Sequence, residues 1–293
     1  MVSATRRIPT FFMRVMGREH LDVASVAEAT VPPLDLVLVL DHSGSLFRNN
    51  AHDDLQRAAK DFVDHFDDSI DQMGLVTFNW RGSNRFMIDA PFTTTIKSRI
   101  NAMVFDNTGD TNIAEGLRRA KEQLDTGPIR DRSVKVVVLF TDGRPTAFRE
   151  MIGGRDRILA IYTTPCCIQG YWNNPDALPV DPPKPSVNGC RNASSCQGYT
   201  DPTARQKAKD WTAVRANEIR EENVYLFVIG LGDPDTEDEL EVPDDDFMRM
   251  LANQDGNTDP DQLQGAYYFA PSAAELGDVF EAVAEDILVR LTQ

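Results

Sequence analysis

A short loop carries the clearest chemistry in this sequence. Asp41, Ser43 and Ser45 stand at alternate positions directly after the apolar run Leu36–Leu40. This spacing lets a single loop turn one carboxylate and two hydroxyl groups toward a common point. Hard cations such as Mg²⁺, Mn²⁺ and Ca²⁺ prefer oxygen ligands of this kind, whereas zinc and copper favour His or Cys. The loop alone is a weak signal, because Asp and Ser are common turn residues after any strand.

Two further oxygen donors can converge on the same point. Asp142 follows a second apolar run, Val136–Phe140, and Thr111 precedes a predicted helix start at Asn112. If both runs are parallel strands, their carboxyl ends meet at one edge of the sheet, where open α/β sheets bind ligands. One divalent cation, Mg²⁺ before Mn²⁺ or Ca²⁺, is therefore predicted to bind to Asp41, Ser43, Ser45, Thr111 and Asp142. Because Mg²⁺ sheds water reluctantly, one coordination position could stay open for an acidic side chain of another protein.

The elements that must position these donors alternate between strands and helices. Apolar runs without polar alternation predict strands buried on both faces, at 34–40, 73–78, 134–140, 224–230 and 267–269. Apolar residues at helical spacing predict helices at 53–66, 96–104, 113–124, 203–222, 246–252 and 273–291. This alternation predicts an α/β fold with an open, doubly wound, mostly parallel sheet flanked by helices, similar to a Rossmann fold.

Two local patterns make finer predictions. A weaker strand at 85–88 is expected to pair with 73–78 across a turn at 82–84. Asn112 is expected to cap the helix that begins at Ile113, and Glu115 to return its carboxylate to the Asn112 backbone amide. The first pattern concerns the edge of the sheet, and the second concerns the helix that follows the threonine donor.

The stretch 144–201 interrupts the alternation and predicts a long loop insertion rich in proline and cysteine. It contains all four cysteines of the chain, whose spacing does not fit the usual knuckles of zinc sites, so disulfides in an oxidising compartment are favoured. Adjacent cysteines bridge poorly. This leaves Cys166 with Cys190 and Cys167 with Cys196, or the crossed pairing. Four free thiols in a cytoplasmic loop are the alternative.

Composition limits the classes of partner. The 293 residues include 46 acidic and 30 basic side chains, a formal charge of −16, so the surface as a whole repels the phosphates of nucleic acid. No apolar run approaches the roughly 20 residues that cross a bilayer. Charged residues interrupt the first apolar stretch, which therefore does not fit a signal peptide. The prediction is a globular protein that does not bind nucleic acid.

Taken together, the five donors resemble the metal ion-dependent adhesion site of von Willebrand factor A domains, in the phrases Asp41-x-Ser43-x-Ser45, Gly109-Asp110-Thr111-Asn112 and Phe140-Thr141-Asp142-Gly143. The resemblance covers about 34–291. It implies that Ser43 and Ser45 bind the metal directly and that Thr111 does so in the high-affinity arrangement. Asp41 and Asp142 would act largely through water. An Asp or Glu of a protein partner would complete the shell, so the resemblance implies protein binding and not catalysis.

Further phrases resemble TadG-like proteins of bacterial Tad (Flp) pilus-assembly systems, at 10–17, 23–25, 111–117 and 268–272. In that family a membrane helix and a pilin-like segment lie upstream. The resemblance implies that 1–31 is the tail of such a segment and that the membrane anchor lies upstream of this chain. It also implies that 32–293 forms the A domain, with 144–201 as an insertion. The expected location is extracytoplasmic, in the periplasm or at the cell surface.

Two other functions compete with this interpretation. Haloacid dehalogenase-type phosphatases also place an Asp at a strand end, but they carry Asp-x-Asp, and here Ser43 occupies the position of the general acid. A domains also act as partners of cytoplasmic chelatase-like ATPases, which the cysteine-bearing insertion argues against. The loop 253–259 alternates oxygen ligands like a calcium loop. It lacks the glycine and glutamate of an EF-hand, so it is predicted to be a solvated turn.

Overall fold

The computed structural model of the protein describes residues 2–9, 20–27, 32–105, 110–152, 155–161, 168–171, 201–232 and 242–291. The strands are β1 (Val2–Pro9), β2 (His20–Ala27), β3 (Leu34–Asp41), β4 (Gln72–Phe78), β5 (Gly82–Asp89), β6 (Val134–Thr141), β7 (Ala147–Ile152), β8 (Arg155–Ile161), β9 (Ile168–Tyr171), β10 (Val224–Leu231) and β11 (Tyr267–Ala270). The helices are α1 (Gly44–Arg48), α2 (His52–Val63), α3 (Thr93–Asn101), α4 (Ile113–Thr126), α5 (Asp201–Arg220), α6 (Asp245–Ala252) and α7 (Leu276–Arg290).

The chain divides into two compact units. In the first, which ends at Pro32, β1 and β2 pair in antiparallel orientation. The second unit runs from Pro33 to Leu291. The origin of 1–31 as the tail of a pilin-like segment stays a prediction.

A six-stranded sheet organises the second unit, in the order β11-β10-β6-β3-β4-β5. Its first five strands pair in parallel, and β5 runs antiparallel to β4. The predicted mostly parallel α/β sheet is therefore confirmed. This order sets β3 and β6 side by side in the middle of the sheet, where Leu40 pairs with Phe140. The two strands consequently end at the same level.

Strand β3 shows why the sheet needs helices on both faces. Its residues Leu36, Leu38 and Leu40 belong to one apolar cluster with α2, α3 and α7. Its residues Val37 and Val39 belong to a second cluster with α4, α5 and α6. Successive side chains of a strand point to opposite faces, and burying each Leu or Val stabilises the fold by about 1.5–3 kcal/mol. The apolar run without polar alternation thus has two buried sides, as predicted.

The predicted turn at 82–84 is wrong, although the pairing of β4 with β5 is confirmed. The chain reverses at Asn79–Arg81, where the Asn79 amide donates a hydrogen bond to the Arg81 carbonyl (3.1 Å). Gly82 lies inside β5. A Cβ atom added there would sit 2.3 Å from the Glu115 carbonyl oxygen of α4. Gly82 is therefore required by the close approach of helix and strand and not by a turn.

Helix α3 begins three residues earlier than predicted and ends three residues earlier, because a distant side chain caps it. The Asp68 carboxylate accepts hydrogen bonds from the amides of Phe92 (2.9 Å) and Thr93 (3.0 Å) and from the Thr93 hydroxyl (2.8 Å). Such a carboxylate satisfies amides that the first helical turn leaves unpaired. The other predicted helices agree with the structure to within three residues at each end. No helix in the described ranges is long and apolar enough to cross a membrane.

The segment 144–201 is not an irregular loop throughout, which corrects the prediction. Strands β7, β8 and β9 form a separate antiparallel sheet within it. Phe148 of β7 packs against α5, and Ala147 packs against the buried Trp80. Apolar residues on these strands can bury a small core of their own, which the many prolines of the stretch obscured. The four cysteines lie outside the described residues, so their pairing stays a prediction.

Candidate metal centre

Strands β3 and β6 bring two carboxylates to one point. Because these strands are parallel, adjacent and in register, Asp41 at the end of β3 and Asp142 just after β6 emerge at the same edge of the sheet. Both side chains are buried, Asp41 completely and Asp142 with 2% exposure. The strand-end rule thus places both acids where the sequence predicts them.

Hydroxyl groups of the loop after β3 join these carboxylates. Ser45 Oγ donates to Asp142 Oδ1 at 2.8 Å, and Ser43 Oγ lies 3.4 Å from the same oxygen. The two Oγ atoms are 3.1 Å apart. Asp41 Oδ1 accepts from the Ser43 amide at 2.7 Å, which closes the loop. The structure therefore brings together four of the five predicted donors.

The orientation of Ser43 is unusual for its place in the chain. Ser43 is the N-cap residue of α1, where a serine hydroxyl ordinarily accepts a hydrogen bond from an amide of the first turn. Its side chain makes no such capping bond. Instead, the hydroxyl faces Ser45 and Asp142. The Ser43 hydroxyl thus bonds within the cluster and does not stabilise the start of α1.

Thr141 is a functional neighbour that the sequence analysis missed. Its hydroxyl donates to Asp41 Oδ2 at 2.7 Å, and it is fully buried. As a result both oxygens of Asp41 accept hydrogen bonds, one from the loop after β3 and one from the end of β6. Strand register was the available signal, because Thr141 and Asp41 stand one residue beyond the paired Leu40 and Phe140.

The negative charge of this cluster is not balanced by the described part of the chain. Asp142 Oδ2 is buried without a hydrogen-bond partner. No Lys or Arg of the described residues pairs with Asp41 or Asp142. Burial raises the pKa of Asp41 to about 6, although hydrogen bonds from Thr141 and Ser43 lower it. Burial, followed by the nearby charge of Asp41, raises the pKa of Asp142 well above its ordinary value, because desolvation disfavours the charged form.

These features fit a divalent cation. The donors are all oxygen atoms, one carboxylate oxygen has no partner, and a cation would relieve the desolvation and repulsion that raise both pKa values. In the ranges that the structure covers, no group of three or more His, Cys, Asp or Glu side chains could hold a metal. The mixed set of carboxylates and hydroxyls is therefore the candidate centre.

Thr111 lies in the neighbouring loop. Its carbonyl accepts from the amides of Thr146 (2.8 Å) and Ala147 (3.2 Å), and its own amide donates to Thr146 Oγ1 (2.9 Å). Thr111 is 6% exposed, and its hydroxyl makes no hydrogen bond to the other four donors in the described structure. The segment that follows Asp142 thus holds the threonine loop beside the cluster.

The start of α4 confirms half of the predicted capping pattern. Asn112 Oδ1 accepts from the Glu115 amide (3.3 Å). The Glu115 carboxylate, however, pairs with Arg118 (2.7 Å) and Arg149 (3.5 Å), and the Asn112 amide donates to the Asn79 carbonyl (2.8 Å). Two guanidinium groups bind a buried carboxylate more strongly than one amide does. Through Arg149 of β7, this carboxylate ties the insertion to α4.

The loop 253–259 forms a turn closed by one side chain. Asn253 Oδ1 accepts from the amides of Thr258 (3.0 Å) and Asp259 (2.9 Å), and Asn253 Nδ2 donates to the Asp259 carbonyl (2.7 Å). Asn253 is fully buried and left-handed, with φ of 52°. The side-chain amide of Asn253 is fully hydrogen-bonded to backbone groups, so the loop has a structural role.

Comparison with known proteins adds a domain match and a fold. The sequence profile of the von Willebrand factor type A domain matches residues 35–156, a range that contains all five predicted donors. No curated protein matches the chain by sequence.

Several solved structures share the fold. The von Willebrand factor domain of the type V pili tip protein Mfa5 from Porphyromonas gingivalis is 17% identical, with 90% of this chain and 98% of that chain covered and a TM-score of 0.60. The pilus adhesin SpaC from Lactobacillus rhamnosus GG is 17% identical, with 90% and 31% covered and a TM-score of 0.57. Proximal thread matrix protein 1 from the mussel byssus, with a zinc occupied MIDAS motif, is 18% identical, with 90% and 49% covered and a TM-score of 0.52. The chain thus spans about half the length of the mussel protein.

Proposed function

Because this chain carries a von Willebrand factor type A domain, we propose that it binds one divalent cation and, through that cation, an acidic side chain of another protein. The observation that carries the proposal is the buried Oδ2 of Asp142, which has no partner although it adjoins a second buried carboxylate. A buried charge left in this way is costly unless a cation balances it. The same residues, Asp41, Ser43, Ser45, Thr111 and Asp142, match the family's site in order.

The five donors would bind the cation in different ways. Ser43 and Ser45, whose hydroxyls already converge on Asp142, would bind the cation directly. Asp41 and Asp142 would supply most of the negative charge, largely through water, and Thr141 would keep Asp41 in position. Thr111 would add a donor from the neighbouring loop. When bound, Mg²⁺, or Mn²⁺ or Ca²⁺ in its place, supplies an open coordination position for a carboxylate.

The proposed setting is outside the cytoplasm, in pilus assembly of the Tad (Flp) type or in adhesion at the cell surface. The TadG-like phrases at 111–117 and 268–272 support it, as does a fold shared with a pili tip protein and a pilus adhesin. Oxidised cysteines in 144–201 and a membrane anchor upstream of this chain belong to the same proposal. Catalysis does not, because Ser43 replaces the second acid that a phosphatase of this geometry would need.

The first test measures cation binding by calorimetry. We expect the wild-type chain to bind one Mg²⁺ or Mn²⁺, and Asp41→Ala and Asp142→Asn to abolish that binding. Asp53→Asn is the matched control, because Asp53 is an acid with an 82% exposed side chain in the nearby helix α2. Binding that persists in Asp41→Ala, or no binding to the wild type, would contradict the proposal.

Folding must be checked in the same variants. In the absence of metal, Asp142→Asn removes an unbalanced buried charge, so we expect it to unfold at the same temperature as the wild type or higher.

A second assay then captures partners from the source cell envelope with and without chelator. Capture that ignores both the chelator and Asp41→Ala would argue against binding through the cation. A phosphatase screen with metal present, negative for the wild type, is the expected result for a protein that does not catalyse.

A further inference from the structure

Four rings form a continuous row that begins inside the proposed metal loop. The row runs from His42 to Phe105, then to His52, and ends at Phe47. The ring centroids are 6.4 Å apart in the first contact, 5.5 Å in the second and 6.1 Å in the third. His42 stands between the donors Asp41 and Ser43, and its Nδ1 lies 3.3 Å from the Val104 carbonyl oxygen. These four rings and Val104 are called the ring row below.

Exposure increases along the ring row as it leaves the metal loop. His42 is 5% exposed, His52 and Phe105 are half-buried, and Phe47 is 47% exposed. Val104, beside Phe105, is 60% exposed. Single apolar residues on a surface are ordinary, but contiguous apolar surface commonly marks a binding site. Here the exposed Phe47 is linked through ring contacts to the loop of a site that already calls for a partner.

The exposed end of the ring row is not needed to hold α1 on the protein. Leu46, the residue before Phe47, is fully buried and belongs to the large apolar cluster of the sheet. With the buried Gly44 and Ser45, it anchors the helix. Phe47 instead stacks on the imidazole of His52 and leaves almost half of its surface in water. Its ring therefore has surface free for contact with another protein.

We propose that the ring row binds an uncharged apolar side chain, preferably aromatic, of the same protein whose Asp or Glu reaches the cation. This inference rests on the proposed function and names the chemistry of its partner. Aromatic side chains in such contacts often dominate the binding energy of an interface. The formal charge of −16 and the Asp53 carboxylate 3.7 Å from His52 disfavour a second acid at this position.

The dimensions set the distance between the two ligand residues. An extended chain advances about 3.3–3.6 Å per residue, so each ring contact corresponds to about two residues and the whole row to about five. The ligand is therefore an acidic residue with an apolar residue within about five positions on one side.

A displayed peptide library tests this specificity. Each peptide carries one fixed Asp with about five random residues on each side, a length that follows from the reach of an extended chain. Selection uses the whole chain with Mg²⁺, and bound peptides are released with EDTA. We expect Phe, Tyr, Trp or Leu to be enriched on one side of the Asp. EDTA-released peptides without this enrichment would overturn the ring row and leave the proposed function intact.

Variants then locate the contact. The double variant Phe47→Ser with Val104→Ser should bind the selected peptides at least about ten-fold more weakly, a loss of about 1.4 kcal/mol. Its affinity for Mg²⁺ should not change. The control is Ile70→Ser, a 50% exposed apolar residue that precedes β4 and so lies at the opposite edge of the sheet. Equal peptide binding by the double variant and the control would overturn the ring row. Failure of the wild type to bind Mg²⁺, or to yield any EDTA-released peptide, would instead overturn the proposed function.

Discussion

The two ends of β3 treat a buried carboxylate in opposite ways. Asp35 at the start of the strand and Asp41 at its end are both completely buried. Asp35 is matched by the chain itself, because Arg130 Nε and Nη2 donate to its Oδ1 at 2.9 and 2.6 Å and the Arg130 amide donates to its Oδ2 at 3.0 Å. Ser133 donates a further hydrogen bond to Oδ2.

At the other end, Asp41 receives hydrogen bonds but no cation. Its partners are the Ser43 amide and the Thr141 hydroxyl, both neutral, and the next acid, Asp142, adds a like charge. The difference separates two roles for a buried acid. A carboxylate paired with an internal guanidinium is part of the fold. One left without a counter-charge is positioned for a cation from outside.

The largest expected effect comes from breaking the ion pair between Arg130 and Asp35 at the start of β3. Arg130→Met leaves Asp35 buried and uncompensated, so we expect the free energy of unfolding to fall by about 3–5 kcal/mol. Chemical denaturation with and without Mg²⁺ measures it, and the loss should be the same in both. The control Arg57→Met removes a mostly exposed pair with Asp54 and should cost less than about 1 kcal/mol. A loss for Arg130→Met as small as that of the control would refute the contrast.

A pH titration of the metal-free protein tests the role of Asp41 at the other end of β3. The folded pKa of Asp41 is raised by burial to about 6 from 3.8, so the folded state binds more protons between those values. The contribution of Asp41 to stability should therefore be complete below about pH 4 and fall by about 2–3 kcal/mol as the pH rises to about 6. Thermal unfolding across this range measures the fall.

Two comparisons make the titration specific. Asp41→Asn should reduce the fall, although Asp142, whose pKa is raised as well, still contributes to it. Saturating Mg²⁺ should reverse the fall, because protons compete with the cation for the same oxygens. At the opposite edge, burial tends to raise the pKa of Asp68, but hydrogen bonds from Thr93 and Phe92 lower it overall. Its contribution is lost only as the pH falls below about 4. An equal fall in the wild type and Asp41→Asn would show that Asp41 is not its source.

The smallest expected effect concerns the insertion, which contacts α4 and the Thr111 loop beside the metal edge. Arg149 of β7 pairs with Glu115 of α4, and the same insertion segment holds the Thr111 loop. Arg149→Met should weaken Mg²⁺ binding about two- to five-fold, because the insertion loses this contact with α4 while Arg118 still pairs with Glu115. The control is Arg118→Met, which removes a partner of Glu115 that lies within α4 itself. Equal Mg²⁺ affinities of Arg149→Met and the wild type in calorimetry would show that this contact of the insertion does not affect the metal site.

Much of the fold and the outline of the site follow from local patterns. The uninterrupted apolar runs predicted a sheet buried on both faces, because a strand with two buried sides has no polar side to alternate with. The same runs end at Asp41 and just before Asp142, so the strand-end rule predicted that the two acids would meet. Two serines at alternate positions completed the prediction of an oxygen cluster.

Other features depended on contacts between distant parts of the chain. The cap of α3 comes from Asp68, and the role of Gly82 comes from the approach of α4. The carboxylate of Glu115 turned to Arg149 of the insertion, which no local capping pattern includes. Each is set by a neighbour in space, and short-range spacing carries no information about such neighbours.

The sequence by itself determined the alternation of strands and helices and the order of the five donors, because backbone geometry and side-chain periodicity act over a few residues. Only the tertiary structure decided which buried acid is neutralised. Asp35 and Asp41 flank the same apolar run and look alike in sequence. Arg130 stands 95 residues from Asp35 in sequence, yet it donates to that carboxylate and not to Asp41. Electrostatic attraction depends on distance in space, so the unbalanced charge at the end of β3 became visible only in the fold.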